Sequence, residues 1–378
     1  MKVRAIALSL FAMGVMSMTA SAVAAPRAEA SSSQVSAHAD APKLDWTIRR
    51  GVMGLTGPTI KKVSFSPDSR YLAIVESPSW LETDISVWDL EQHKEQAHIH
   101  CPFNYADSLD DDLLWIHDGK VITFGAKKQW NPMTGEALHD NPAIGRSARL
   151  NKDRTKMLTI VGAIGEPTTI HVYDTRTWAL QKIELDGLES SVASWTADDK
   201  ILVSVSVVPA SHGKTIDGRV IDWYDSAVRL IDPSGKSPTK AVWFPPTKMS
   251  DQDLAHSFPI GARTKTNFAT NEVVLESGEI VDAATLAIRR YHSFDPTDDA
   301  PGSFGYAFSP DGKRIYLKGS TFVEKRKTID NTIVDTASGK PLVQFSGALD
   351  GVADLDASPD GKTLAIGSEH SVLIYRLR

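Results

Sequence analysis

The chain has 378 residues, a formal charge of −6, 42% hydrophobic and 8% aromatic side chains, and a single cysteine. That composition supplies apolar surface for a real core and excludes a disordered chain. The acidic balance is a poor start for binding nucleic acid or an anionic membrane, which needs clustered Lys and Arg. Cys101 has no second cysteine to pair with, so the fold must rest on the size of its core.

The N-terminus reads as a secretory signal over 1–24. Lys2 and Arg4 precede an apolar run at 5–18, and small residues allow cleavage after Ala22 or Ala24. The run falls short of the ~20 residues that a membrane span needs. No cysteine stands there for lipid attachment, so a periplasmic location with no stable membrane insertion after cleavage is expected. Losing Lys2 and Arg4 with the leader takes the formal charge to −8. Residues 25–42 are rich in Ala, Ser and Pro without apolar periodicity and read as a flexible leader. The remainder, 43–378, reads as one domain of short apolar runs separated by polar turns, with no stretch at helical spacing.

Two signatures recur along that domain. Phe65-Ser66-Pro67-Asp68, Phe308-Ser309-Pro310-Asp311 and Ala357-Ser358-Pro359-Asp360 each mark a tight turn between two apolar strands. Later in each unit a strand ends in an apolar residue and Asp, as at Trp88-Asp89, Tyr173-Asp174, Ile231-Asp232, Val281-Asp282 and Val334-Asp335. Copies recur every ~40 to 60 residues, the range of propeller blades carrying insertions. In phase, the signatures give four-stranded units at 63–99, 113–138, 148–185, 192–244, 263–294 and 304–345. A last unit starts at 352 and runs out of chain after its third strand. Leu44 to Arg49 can supply its missing outer strand. The expected fold is therefore all-β: a seven-bladed β-propeller of four-stranded antiparallel blades, closed by an N-terminal strand, which leaves no open sheet edge.

The stretch Phe308 to Leu317, with Val87-Trp88-Asp89, resembles the WD40-like, YVTN/TolB-type propeller repeats of exported bacterial proteins. The Gly-His pair of true WD40 repeats is absent, and with it their internal hydrogen-bond relay is not expected. The resemblance implies a fold and an expectation of binding, since one fold hosts many functions.

Loop lengths point to where function would sit. Turns between first and second strands are short. The long connections, 76–84, 98–112, 209–225, 245–262, 292–303 and 318–331, lie between second and third strands or between blades, and so share one face. The richest is the blade-four insertion, where His212, Lys214, Asp217, Arg219, Asp222, Trp223 and Tyr224 combine aromatic area with charge, as ligand and partner sites do. With His256 and His292 they form the candidate binding set. A solvated hairpin pinned by its aromatics is the competing reading. His98 and His100 would share one face of an extended strand, but alternation leaves them facing solvent, so no metal site is assigned. Asp107, Asp110 to Asp112 and Asp295, Asp298 and Asp299 lack the EF-hand pattern and read as rim charge. The basic spot Lys325-Arg326-Lys327 reads likewise.

No nucleophile motif or cofactor fingerprint occurs, so no cofactor is expected. The leading expectation is a periplasmic, monomeric binding or scaffold module that takes a protein or an envelope ligand on its loop-rich face and no nucleic acid. The alternative is a propeller enzyme or enzyme subunit, either lactonase-like or of the quinoprotein amine dehydrogenase heavy-subunit type. It would need His212, Arg219, His256 and His292 to converge.

Overall fold

The computed structural model describes residues 41–378, except 51–56, 80–81, 102–111, 125–127, 141–142, 164, 191–192, 223–224, 237–238, 245–264, 275–278, 291–304, 319–320, 324–325, 329 and 347–351. The leader 1–24 and most of 25–42 lie outside the described residues. So do Trp223, Tyr224, His256, His292, Lys325 and the acids between 102 and 111.

Seven four-stranded antiparallel sheets form the molecule. Blade one comprises Thr59–Phe65, Tyr71–Ser77, Thr83–Asp89 and Lys94–Cys101, counted from the axis outward. Blades two to six repeat this order, with inner strands Leu113–Ile116, Arg146–Leu150, Ala193–Trp195, Lys265–Asn267 and Gly305–Phe308. In blade seven Val352–Ala357, Thr363–Ser368 and Ser371–Arg376 are joined by Lys43–Arg49, whose Leu44 and Ile48 pair with Tyr375 and Val372. Two small hairpins are inserted between second and third strands: Thr215–Ile216 with Arg219–Val220 in blade four, and Thr321–Val323 with Arg326–Thr328 in blade six.

The apolar pattern explains why the blades stack. A strand with polar residues on one face can cover only one neighbour, whereas the second strands here bury both faces. Leu72 and Ile74 pack toward blade seven, with Ala365, Val372 and Ile374; Ala73 and Val75 pack toward blade two, with Trp115, Ile122 and Phe124. Leu158 and Ile160 face blade four, and Met157 faces blade two. Among the described residues the core divides into seven apolar clusters, one in each seam between adjacent blades. Each fully buried aliphatic or aromatic side chain contributes ~1.5–3 kcal/mol.

The turns are set by local circuits. Ser66 Oγ donates to Asp68 Oδ1 (2.5 Å) and accepts from the Tyr71 amide (2.8 Å), and Asp68 accepts from the Arg70 amide (3.1 Å). Ser309 with Asp311, and Ser358 with Asp360, repeat the circuit bond for bond. Thr196 with Asp198 makes a fourth version without the Pro. The strand-end Asp residues serve the other turns. Asp89 accepts from the amides of Glu91 and Gln92, Asp174 from Arg176 and Thr177, and Asp282 from Ala284 and Thr285. Each such bond is worth ~1 kcal/mol. The carboxyls of Asp174 and Asp335 sit below the ordinary range because the Thr177 and Ser338 amides and hydroxyls donate to them.

The sequence places the inner strands of blades one and three a few residues too late. In both, and again in blade seven, the register shifts within the strand: between Ile60 and Lys62, Arg146 and Arg149, and Val352 and Leu355. A bulge breaks the period-two alternation, so the pattern signal starts only after it.

Candidate functional site

Those three bulges also carry the chemistry. An extra residue in one strand re-aims a side chain, and here Lys62, Arg149 and Asp354 stand at or beside the irregularities. All three line a cavity of about 390 Å³ to which the inner strands of all seven blades contribute, so it lies on the ring axis. Its outer wall includes exposed Lys152, Pro310 and Pro359, residues of the short first-to-second-strand turns. The cavity therefore reaches the surface at the plain end of the axis.

Charge in the cavity is layered. Asp112 accepts both Lys62 (3.4 Å) and Arg149 (3.0 Å), tying blades one, two and three. Burial opposes charge on Asp112, but the Arg149 and Lys62 cations more than offset it and hold its carboxyl below the usual range. Across the axis Lys265 lies 3.5 Å from Asp354 and donates to the Leu355 carbonyl (3.1 Å). Burial also opposes charge on Lys265, and Asp354 and Asp356 together keep its pKa above the ordinary value. Asp354 and Asp356 accept from the amides of Val63 (3.3 Å) and Phe65 (2.9 Å), which stitches blade seven to blade one. Ser194 and Thr266 share a hydrogen bond of 2.8 Å between blades four and five. The belt spans every blade but the sixth, whose Ala307, Phe308 and Ser309 supply wall.

Two half-buried charges in the cavity have no counter-ion within 4 Å among the described residues. Asp356 has only amide donors, Phe65 and Ala357, and burial pushes its pKa up to about 6 despite Lys265 nearby. Arg154, in the blade-three turn, donates to the Trp115 carbonyl (3.3 Å). Burial lowers its pKa, and its strongest opposing influence is Asp356.

The blade-four insertion is organised differently. Ile216 and Ile221 are buried in the seam between blades three and four and anchor the hairpin. Asp225, fully buried, accepts Arg219 Nη2 (2.8 Å) and the Asp222 amide (2.9 Å). Asp217 pairs with the buried Arg229 (3.1 Å), which also holds Asp186 (2.8 Å), and His212 approaches Asp222 at 3.3 Å. Lys214 stays exposed, and Val220, opposite Thr215 in the hairpin, is 67% exposed. None of these residues lines the axial cavity.

On the outer strand of blade one His98 and His100 face solvent while Ala97, Ile99 and Cys101 are buried. His100 bonds Asp84 (2.8 Å) and His98 bonds Glu95 (3.0 Å). Burial pushes the Cys101 thiol up to about 12, which leaves it inert as a nucleophile. Blade one also holds a relay of its own. Arg50 pairs with buried Glu76 (2.8 Å) and with Glu95 (2.8 Å), Ser86 donates to Glu76, and the Trp88 indole donates to Ser86 (3.1 Å). Burial raises the Glu76 carboxyl even with these donors.

Residues 339–376 match the WD40 family model, "WD domain, G-beta repeat". The match takes in the outer strand of blade six and the three inner strands of blade seven, so it shows a WD40 repeat within a seven-bladed propeller. No curated protein sequence matches the chain. Among solved structures, the β-propeller domain of Cps50 (Swd1) from Myceliophteria thermophila is similar, with a TM-score of 0.53 and 12% identity. The alignment covers 89% of this chain and all of that one. At that identity the likeness concerns the fold. With 1116 solved chains matching, the ring shape alone selects no activity.

Proposed function

We propose that the chain is exported to the periplasm and acts there as a monomeric binding module, engaging a protein or envelope ligand through its loop-rich face. The observation that carries this reading is the construction of the blade-four hairpin. Its backbone is anchored by Ile216, Ile221 and Asp225, while Val220, Lys214 and His212 remain on the outside. A platform ordered before contact loses little entropy on binding, which is how an exposed apolar residue between charges becomes an anchor. The leader, with its Lys2 and Arg4 and short apolar run, supports export.

The test is capture from a periplasmic fraction by the purified chain, compared with the V220D/K214E double variant. Deleting 209–225 would remove Ile216 and Ile221 from the core, so surface substitutions are the cleaner probe. A partner retained by the wild type and lost by the variant is the expected result; identical capture by both sinks the reading. Recovery of the chain in the cytoplasmic fraction, with residues 1–24 still attached, would sink the export step separately.

A further inference from the structure

The axial cavity is independent of the hairpin, which leaves the ring on the opposite face. We infer that this cavity binds a small amphoteric ligand, one bearing a carboxylate at one end and an ammonium or guanidinium group at the other. Three observations on the cavity support the inference.

The first is its polarity across the axis. The wall from blades one to three presents Lys62, Arg149, Lys152 and Arg154 against Asp112 alone, whereas the wall from blades five and seven presents Asp354 and Asp356 against Lys265 alone. A ligand with a charge at each end lies along that gradient; a simple anion or cation would meet one attractive wall and one repulsive wall.

The second is the pair of charges with no counter-ion within 4 Å among the described residues. Lys62 and Arg149 both pair with Asp112, and Lys265 pairs with Asp354. Arg154 and Asp356 are left facing the same space, the guanidinium with one long bond to a carbonyl and the carboxylate with amide donors only. Half-buried charges without partners are costly, and a ligand that supplies both partners recovers that cost. Arg154 suits a carboxylate because its fork can donate two parallel bonds.

The third is that the Asp356 carboxylate and the main chain that carries Arg154 are held. The Arg154 amide donates to the Asn151 carbonyl (3.0 Å) and the Arg154 carbonyl accepts Thr175 Oγ1 (2.9 Å), while Asp356 is fixed by the Phe65 and Ala357 amides. The Asp356 carboxylate and the Arg154 backbone are in place before a ligand arrives. At about 390 Å³ the cavity falls in the range of small-molecule sites.

The experiment is calorimetric titration of the purified full chain with ω-amino acids that step the charge separation: glycine, 4-aminobutyrate and 6-aminohexanoate. Butyrate, butylamine, hexanoate and hexylamine serve as the half-molecules. At least one member should bind with a Kd at or below ~1 mM, and its halves at least ~10-fold more weakly. Arg154→Met and Asp356→Asn should each weaken that ligand at least ~10-fold, and Arg154→Lys should weaken it by less than Arg154→Met does, since it keeps the charge and loses the fork. A rise in Tm of the wild type with the intact ligand, absent with its halves, supports the inference without any variant. The inference fails if no member binds by ~10 mM, if a half-molecule binds as well as the whole, or if R154M and D356N bind like the wild type.

Discussion

The blade-four hairpin and the axial cavity are both rich in charge, and they use it in opposite ways. In the hairpin Arg219 is matched by Asp225, Asp217 by Arg229 and His212 by Asp222, with partners no more than 12 residues apart in sequence. In the cavity the partners come from different blades, and two groups, Arg154 and Asp356, are left over. Charges that neutralise one another locally hold a loop in shape; charges left over in a preformed space are available to something else. The two regions should respond differently to the same kind of substitution, and the largest effect concerns how the cavity keeps its form.

That form depends on backbone fit. Asn267, on the cavity wall, is buried and donates to the Gly312 carbonyl of the next blade (2.9 Å). Gly312 has φ +70°, and a Cβ there would stand 2.4 Å from Asn267 Oδ1 and 2.7 Å from the Ala269 Cβ. Gly312→Ala should therefore cost about 3–4 kcal/mol, summing left-handed backbone strain with the loss of a buried hydrogen bond. The equivalent Gly361 has φ +72° but its nearest neighbour is Pro310 at 3.5 Å. Gly361→Ala should cost about 1–2 kcal/mol, the strain alone. Thermal melts that give equal losses would show that the fit against Asn267 contributes nothing.

Next in size is a pH effect from Asp356. Its pKa in the fold is about 6, raised first by burial, against 3.8 in the unfolded chain. Between these values the folded state keeps a proton that the unfolded state releases. Stability from this group is thus fully present below pH ~4, falls as pH rises, and is gone above pH ~6. Lys265, Asp354 and Arg154 are the charges that face it. Asp356→Asn removes the titration, so the variant should gain about 2–3 kcal/mol relative to wild type between pH 4 and 7. A difference that stays flat across that range would place the Asp356 carboxyl in the ordinary range.

How far this was legible in the sequence follows from the range of the interactions. The Ser-Pro-Asp circuits and the strand-end Asp turns close within two to five residues, as Ser66 to Tyr71 and Asp89 to Gln92 show, so a short pattern is enough to reveal them. Blade number and phase followed from those turns. The blade-four insertion stood out for the same reason: its charges are close together in sequence. The axial belt has no such signature. Lys62, Asp112, Arg149, Lys265 and Asp354 each sit on or just before a different inner strand, up to 291 residues from a partner, as Asp354 is from Val63. The bulges that turn Lys62, Arg149 and Asp354 toward the axis also break the alternation that would have located them. A usable signal was nevertheless present. In Thr59–Phe65, Arg146–Leu150 and Val352–Ala357 a charged residue interrupts a strand that a closed ring must bury on both sides. Charge on the innermost strand, and not charge density along the chain, was the feature to follow.

The sharpest contrast is between two arginines cut back to the same residue. Arg219→Met leaves Asp225, which has no exposed side-chain surface, with a single amide donor in place of a guanidinium. With Arg219 itself 40% exposed, the loss should be about 2 kcal/mol, below the full cost of breaking a buried pair. Arg154→Met removes a half-buried cation that, among the described residues, has no carboxylate within 4 Å and only a 3.3 Å bond to the Trp115 carbonyl. Its stability change should lie within about 0.5 kcal/mol of zero or favour the variant, because taking away an uncompensated charge relieves desolvation. If denaturant midpoints show R154M losing as much as R219M, then Arg154 is a structural group with a partner of its own. The cavity would then hold no positive charge in reserve. If they separate as expected, the chain carries at Arg154 a charge that its own fold does not require, in a cavity where a ligand's carboxylate can reach it.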